Sequence, residues 1–253
     1  MRALLVGLTF LVATPTLGGL VFLAALLRVP DRDGSIFDWA PRVWARMLLW
    51  AGGVRLHLHH PERIRHGSSR IYVSNHVSWY DVFALASVLP RSKWIAKAEL
   101  ARIPIFGPAA RAAGVIFIER NNRKAAFAQY EKAAESIRQG ASVIVCPEGT
   151  RGERYELRPF KKGPFVLAVA AGVPIVPTLV HGTIAVHPKG AWRVRRGDVH
   201  IHFLEEIFTA GHSYEERNEL AQLTWDRMAD ALREHYGIDS TTPSRRLSAT
   251  IAD

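Results

Sequence analysis

Apolar residues are arranged in three different patterns along this chain, and each pattern predicts a different kind of structure. The first is a continuous run, because Ala3 to Leu27 contains no charged residue. The second, Trp39 to Trp50, places its apolar residues near one face of a helix. Beyond Gly53, short continuous apolar runs alternate with stretches in which apolar residues recur every three or four positions, as on one face of a helix. The chain therefore predicts N-terminal helical segments followed by alternating strands and helices.

The alternating region predicts an α/β fold. Strands are expected near Val54 to Leu58, Ile71 to Val73, Trp94 to Ala96, Val115 to Ile118, Ser142 to Val145, Ile175 to Val180 and Val199 to Phe203. Helices are expected near Val82 to Leu89, Asn122 to Arg138, Pro164 to Ala171 and Tyr214 to Tyr236. Such alternation is typical of a mostly parallel sheet flanked by helices, and it leaves room for an antiparallel edge.

These patterns divide the chain into three parts. Residues 1–53 are expected to form membrane-associated helices, residues 54–240 one α/β domain, and residues 241–253 a flexible basic tail. A chain of 253 residues with 48% hydrophobic content can bury one substantial core. One domain with an N-terminal appendage is therefore the natural organisation.

The first apolar run is long enough to cross a membrane. A hydrocarbon core of ~30 Å takes about 20 helical residues, and Ala3 to Leu27 exceeds that length. A cleaved signal peptide is the competing interpretation, although it usually has a shorter apolar core. Pro15, Gly18 and Gly19 interrupt the run, so a re-entrant or interfacial helix pair also fits. The sequence thus predicts a hydrophobic membrane-anchoring segment, either spanning or re-entrant.

Basic residues predict the side of the membrane on which the domain lies. Arg28, Arg32, Arg42 and Arg46 follow the apolar run, whereas Arg2 alone precedes it. Such an excess favours the cytoplasmic side. We therefore expect the domain on the cytoplasmic face of the inner (plasma) membrane.

The segment Trp39 to Trp50 and the net charge both indicate what the protein binds. Trp39, Val43, Met47 and Trp50 fall near one helical face, as in a helix at the headgroup boundary. A core-packing helix fits equally well. The net charge of +10 favours an anionic membrane surface or a phosphorylated substrate. Nucleic acid is not expected as a partner, because the chain contains no recognition module for it.

A histidine and an aspartate at a predicted strand-to-helix junction carry the most chemical information. His76 falls on the turn after the strand Ile71 to Val73, Asp81 lies in the first turn of the next helix, and Ser78 can cap that helix. Because the chain folds back there, the carboxylate can hold one ring nitrogen and leave the other free to take a proton from an alcohol. No Gly-x-Ser-x-Gly nucleophile accompanies the pair, which points to a substrate hydroxyl. Taken alone, a capped helix with a hydrogen-bonded histidine is the better interpretation.

Three further blocks follow in order and change that interpretation. They are Gly-Val-Ile-Phe-Ile-Glu-Arg at Gly114 to Arg120, Cys-Pro-Glu-Gly-Thr-Arg at Cys146 to Arg151, and Val-Pro-Ile-Val-Pro at Val173 to Pro177. Together with Ser74 to Asp81, they resemble the four motif blocks of the glycerolipid acyltransferase family, most closely the 1-acyl-sn-glycerol-3-phosphate acyltransferases. The resemblance spans about Val54 to Val180, half of the chain.

Charged residues at predicted strand ends fit this resemblance. Arg120 follows a strand, where an α/β sheet places its ligand crevice, and a guanidinium can grip a phosphate with two hydrogen bonds. Lys97 also follows a short predicted strand, although a solvated loop lysine is nearly as good an interpretation. Glu148 is expected to orient Arg151 or a substrate hydroxyl, because a carboxylate at a buried strand end needs a partner. Lys161 precedes a helix and can attract an anion, with a basic surface loop as an even alternative.

The resemblance assigns roles to individual residues. It implies catalytic roles for His76, Asp81 and Glu148. It implies substrate-binding roles for Asn75, Lys97, Gly114, Arg120, Gly149, Thr150, Arg151 and Lys161.

The reaction implied by the resemblance is direct acyl transfer. Acyl-coenzyme A or acyl-carrier protein supplies the fatty acyl group as co-substrate, and the sn-2 hydroxyl of the membrane lipid 1-acyl-sn-glycerol-3-phosphate accepts it, giving phosphatidic acid. No cofactor and no metal are expected. Another lyso-lipid, such as a lyso-ornithine lipid, is an alternative acceptor. A non-catalytic membrane-binding module is a further alternative, against which the intact His76 and Asp81 argue.

Two groups of histidines suggest metal sites at first sight. His57, His59 and His60 lie on or just after one predicted strand, and His200 and His202 lie on another. Neither group brings cysteines or paired carboxylates at zinc-like spacing. We therefore expect solvated strand faces here.

Overall fold

Strands in the described part of this chain form a single sheet with helices on both faces. The computed structural model describes residues 1–119 and 123–241, without the side chains of residues 123–128, 131 and 132. The predicted tail beyond residue 241 therefore lies outside the described residues. The helices are α1 (Arg2–Leu26), α2 (Ile36–Gly52), α3 (Trp79–Val88), α4 (Phe106–Ala112), α5 (Arg123–Arg138), α6 (Gly163–Ala171), α7 (Thr183–Val186) and α8 (Arg217–Tyr236). The strands are β1 (Val54–His59), β2 (Ile71–Ser74), β3 (Ser92–Lys97), β4 (Ile116–Ile118), β5 (Ser142–Val145), β6 (Ile175–His181) and β7 (Gly197–Phe203).

The sheet is parallel except at one margin. Its strand order is β1-β7-β6-β2-β5-β3-β4. All neighbours from β6 to β4 run parallel, whereas β7 pairs antiparallel with β6 and parallel with β1. This confirms the predicted α/β fold with a mostly parallel sheet, and it places two strands, β1 and β7, at the antiparallel margin.

Alternate residues of the central strands pack against different helices. On β2, Ile71 and Val73 belong to the core formed with α5, α6 and α8. Tyr72 points the other way, into the core formed with α2, α3 and α7. Because both faces of the sheet are covered, β2 and β5 are buried along their whole length. That burial explains their continuous apolar sequences.

Helix α1 runs unbroken through Pro15. The sequence also allows two shorter helices here, because its proline and glycines interrupt the apolar run. Helix α1 packs against α2 and α4, and the indole Nε1 of Trp44 donates to Thr14 Oγ1 at 3.0 Å. Its most apolar window is only 17% buried. By length and composition, this helix can cross a membrane.

Helix α2 buries one face and exposes the other. The exposed face carries the four apolar residues that the sequence groups together, Trp39, Val43, Met47 and Trp50. Trp50 is 72% exposed. Next to these residues, the exposed Arg46 donates from Nε to the Ser87 carbonyl of α3 at 3.0 Å. The apolar stripe of α2 therefore does not pack into the core.

The histidines of β1 and β7 form a stack whose inner end packs against α8, so the solvated faces that the sequence predicts are correct for the exposed His57 and wrong for His202. The rings of His59 and His202 lie 4.0 Å apart, and His202 stacks on His235 of α8 at 4.5 Å. His202 is 5% exposed, and burial lowers its pKa to about 3. The ring is thus neutral at pH 7 and serves as packing surface. Among the described residues, no group of three or more side chains could hold a metal ion.

Some elements differ from those predicted by the pattern. Helices α4 and α7 contain only seven and four residues, which is too short for helical periodicity to be visible. Helix α3 begins at Trp79, before the predicted Val82, because Ser78 caps it. The N–H of Tyr80 donates to Ser78 Oγ at 3.2 Å, so the predicted cap is confirmed.

We expect Gly182→Ala to destabilise the fold by about 3 kcal/mol, through backbone strain plus overlap. Gly182 has φ +95°, and a Cβ there would overlap the carbonyl oxygen of Asp198. Gly190→Ala is the matched control, because Gly190 has φ +80° with open space around it. The control should cost about 1 kcal/mol. Thermal melting in detergent measures both, and equal melting temperatures would contradict this account.

Candidate active site

The carboxyl ends of the parallel strands gather the predicted site residues at one edge of the sheet. His76 follows β2, Glu148 follows β5, and Lys97 is the last residue of β3. These three strands are parallel neighbours, so their carboxyl ends lie side by side. Strand β4 ends at the same edge. Arg120 follows it in sequence but lies outside the described residues.

His76 and Asp81 form a hydrogen-bonded pair. His76 Nδ1 lies 3.0 Å from Asp81 Oδ2. An ionised carboxylate can only accept, so Nδ1 carries the proton and Nε2 is the basic nitrogen. The His76 side chain is 17% exposed, whereas that of Asp81 is 1% exposed. The pair thus has the arrangement of a general base held from behind by a buried carboxylate.

Further donors hold Asp81 in place. Oδ2 accepts from the backbone N–H groups of Val77 and Ser78, both at 2.7 Å. Oδ1 accepts from the hydroxyl of Thr183 at 2.5 Å. These bonds offset the cost of burying a carboxylate and orient it toward His76.

Glu148 supports His76 through the backbone. Its Oε1 accepts from the His76 N–H at 3.1 Å, and its Oε2 accepts from Arg158 Nε at 2.9 Å. Burial raises the pKa of Glu148, and the Arg158 guanidinium opposes that shift. The arginine partner of Glu148 is therefore Arg158 and not Arg151, which corrects that expectation from the sequence, while the alternative role of orienting a substrate hydroxyl stays a prediction.

Arg158 is a site residue that the sequence does not reveal. Its Nη1 donates to Thr150 Oγ1 at 3.0 Å, and its Nη2 donates to the Thr150 carbonyl. The same loop also contacts His76, because the Gly152 N–H donates to the His76 carbonyl at 2.7 Å. Arg158 thus shapes the loop after β5 around His76. It lies ten residues from Glu148, outside the blocks that the resemblance highlights.

The turn after β5 also carries an ammonium group. Gly149 has φ +83°, and a Cβ there would lie 2.9 Å from Lys161 Nζ, so glycine leaves room for the lysine side chain. The Lys161 N–H donates to the Pro147 carbonyl at 2.9 Å. Arg151 lies elsewhere, with its guanidinium 5.0 Å from the centre of the Trp79 ring. Both cations are therefore held near the base by specific neighbours.

Two residues predicted to bind substrate, Asn75 and Gly114, instead contact other parts of the protein. Asn75 is buried. Its side-chain Nδ2 donates to the Val180 carbonyl at 2.9 Å, and its Oδ1 accepts from the Val180 N–H at 2.8 Å. Gly114 has φ +87°, and a Cβ there would meet the side chain of Lys93. This geometry favours positioning roles for Asn75 and Gly114. Lys97, by contrast, is exposed at its strand end.

Known proteins are similar to this chain in sequence and in fold. A family model described as acyltransferase matches residues 55–181. The chain is 35% identical to the chloroplastic 1-acyl-sn-glycerol-3-phosphate acyltransferase BAT2 of Brassica napus, over 60% of this chain but only 45% of that protein. It is 34% identical to the human 1-acyl-sn-glycerol-3-phosphate acyltransferase beta, over 78% of this chain and 71% of that protein.

A solved structure has the same architecture over nearly the whole chain. It is the crystal structure of the 1-acyl-sn-glycerophosphate (LPA) acyltransferase PlsC from Thermotoga maritima, with a TM-score of 0.74 and 26% identity. The match covers 95% of this chain and 100% of that one.

Replacing Arg158 with Met should cost about 2 kcal/mol, because it leaves a buried carboxylate without its partner and Arg158 itself is partly exposed. The Glu148 side chain is only 3% exposed, so adding Glu148→Gln should recover most of the loss. Arg151→Met is the control and should cost less than about 1 kcal/mol, because it removes only a contact with a ring. Chemical denaturation of these variants measures the costs. Equal losses at the two arginines would contradict the pairing.

Proposed function

The chain belongs to the acyltransferase family, and on that premise we propose that it transfers a fatty acyl group from a thioester to the sn-2 hydroxyl of 1-acyl-sn-glycerol-3-phosphate. The observation that carries this proposal is the His76–Asp81 pair, which lies at the ligand-binding edge of a parallel sheet. The names of the Brassica and human relatives support the choice of acceptor. Phosphatidic acid is the product of this reaction.

In the proposed step, His76 is the general base. Its Nε2 takes the proton of the sn-2 hydroxyl while the hydroxyl oxygen bonds to the thioester carbonyl carbon. The carbon–sulfur bond then breaks, and the leaving thiolate receives the proton back from the imidazolium. Asp81 keeps the ring in the Nδ1–H tautomer and stabilises the imidazolium. The acyl group passes directly to the acceptor, with coenzyme A or acyl-carrier protein as its carrier.

We assign the acceptor's phosphate to cations at the ends of β3 and β4. Lys97 is exposed there and pairs in register with Ile118, two residues before Arg120. A phosphate held by these two groups would be fixed at the same edge as His76. Positioning of this kind converts binding energy into rate, because it brings the hydroxyl to the base.

Attack of the hydroxyl on the thioester gives a tetrahedral intermediate, whose negatively charged oxygen needs a hydrogen-bond donor. We place this donor at the turn after β5. The N–H of Gly149 already donates to the Cys146 carbonyl at 3.1 Å. We therefore assign oxyanion stabilisation to the ammonium group of Lys161, beside the same turn. Thr150 and Arg151 complete this side of the proposed site.

Exposed apolar and basic surfaces support a membrane location. Helix α1 and the outer face of α2 expose apolar side chains. The loop between α7 and β7 adds exposed Trp192 and the exposed cations Lys189, Arg193, Arg195 and Arg196. This loop meets the end of α2, because the Gly197 N–H donates to the Gly53 carbonyl at 3.4 Å. Tryptophan and basic residues together favour an anionic headgroup layer, which we place on the cytoplasmic face.

His76→Ala should remove nearly all thioester-dependent acylation, because general base catalysis contributes ~10²- to 10⁴-fold. Asp81→Asn should also be impaired, since it no longer fixes the tautomer. Thiol release from oleoyl-coenzyme A with lysophosphatidate measures both variants as full-length protein in detergent, and circular dichroism checks folding. A folded His76→Ala protein with more than about a tenth of wild-type turnover would refute the assigned role.

A panel of acceptors tests the substrate. Lysophosphatidate, a lyso-ornithine lipid and lysophosphatidylcholine are offered with oleoyl-coenzyme A or oleoyl-acyl-carrier protein. We expect lysophosphatidate to have the highest kcat/KM by at least about tenfold, because it alone presents a terminal phosphate to the cations. A preference for either other lipid would overturn the acceptor and leave the family assignment intact.

Arg120→Ala should lower kcat/KM for lysophosphatidate by about ten- to a hundred-fold, the usual loss for a charge-assisted hydrogen bond. An acceptor without the phosphate should lose little. Arg138→Ala is the control, since Arg138 lies exposed near the end of α5 and pairs with Glu135. If Arg120→Ala weakens both acceptors alike, the phosphate lies elsewhere.

A further inference from the structure

A buried hydroxyl contacts the carboxylate behind the base. Thr183 Oγ1 donates to Asp81 Oδ1 at 2.5 Å, and both residues are fully buried. Thr183 lies 102 residues after Asp81 and beyond the residues matched by the family model. The contact joins the start of α7 to the catalytic pair.

The two oxygens of Asp81 differ in how they are held. Oδ2 accepts from His76 Nδ1 and from the N–H groups of Val77 and Ser78. Within the described part of the chain, the donor to Oδ1 is Thr183. Without this hydroxyl, a buried oxygen would lose its partner, and the carboxylate would be freer to turn about its last torsion. The angle of Asp81 toward His76 therefore depends on Thr183.

The surrounding fold fixes the Thr183 hydroxyl in turn. Gly182 follows the last residue of β6, has φ +95° and is the N-cap of α7, so Thr183 is the first helical residue. The Tyr155 hydroxyl accepts the Ile184 N–H at 3.0 Å and also interacts with the Thr183 side chain. The ring of His181 packs on Tyr155 at 4.3 Å. A strand end, a helix start and an aromatic ring thus hold Thr183 in place.

We propose that Thr183 is a positioning residue for acyl transfer, which holds Asp81 at the angle that keeps His76 in its Nδ1–H tautomer. This inference rests on the proposed function of the pair. Thr183 acts through Asp81 and does not touch substrate. A carboxylate already fixed in place needs no reorganisation when the imidazolium forms. Loss of the hydroxyl therefore slows the chemical step and leaves substrate binding unchanged.

Thr183→Val and Thr183→Ser test this role, with Thr178→Val as the matched control. Thr178 is equally buried on β6, but its hydroxyl donates to the Val176 carbonyl at 3.0 Å, away from the pair. In full-length protein in detergent, Thr183→Val should lower kcat roughly ten- to a hundred-fold, with both KM values within about two-fold. Thr183→Ser and Thr178→Val should each stay within about three-fold of wild type. If Thr183→Val fails to fold, Thr183→Ala takes its place with the same expectations.

A second readout does not depend on acyl transfer. In ¹⁵N-histidine spectra, the His76 signals are assigned by their absence from His76→Gln. Wild type, Thr178→Val and Thr183→Ser should show the Nδ1–H form, and Thr183→Val should show a mixture of tautomers. If this pattern appears while wild type transfers no acyl group, the positioning role stands and the proposed reaction falls.

Other results overturn the inference. They are a Thr183→Val protein with kcat within about two-fold of wild type, a loss confined to KM, an equal loss in Thr178→Val, or an unchanged His76 tautomer. Failure of Thr183→Ser to restore activity would also overturn it, because the serine hydroxyl can make the same bond.

Discussion

A buried carboxylate that must be satisfied on both oxygens is the constraint on which the site depends. Asp81 has no exposed surface, so its donors have to come from the fold. They come from the turn after β2, the cap of α3 and the start of α7. The orientation of Asp81 toward His76 therefore depends on contacts from a strand end, a helix start and the crossover from β6 to β7. The geometry of the candidate site and the fold are thus linked through one side chain.

A second buried carboxylate, that of Glu148, also bonds His76, but at a different group. Asp81 contacts the ring of His76, whereas Glu148 accepts its backbone N–H. The parallel pairing of β2 with β5 makes this possible, because it places the two strand ends side by side. Arg158 then offsets the burial of Glu148 and also bonds Thr150 in the loop after β5. His76 is thus fixed at both its ring and its backbone.

The sequence predicts the features whose partners are close along the chain. His76 and Asp81 are five residues apart, and the central strands are buried on both faces, so local pattern is enough for the pair and for the sheet. Thr183 and Arg158 are different, because their partners lie 102 and ten residues away and neither belongs to a periodic pattern. The histidines of β1 and β7 show the same limit. Their spacing places them on one face, but only the fold shows that α8 covers His202 on that face.

The most direct test of the central claim is a structure of the full-length protein with lysophosphatidate and a non-transferable thioether analogue of acyl-coenzyme A. Our account predicts that the sn-2 hydroxyl lies within about 2.6–3.2 Å of His76 Nε2, the reach of a general base. It also predicts that the hydroxyl oxygen faces the carbon that stands for the thioester carbonyl, with the phosphate beside Lys97 and Arg120. A hydroxyl bound away from Nε2, while both ligands occupy the site, would contradict the claim that His76 is the base.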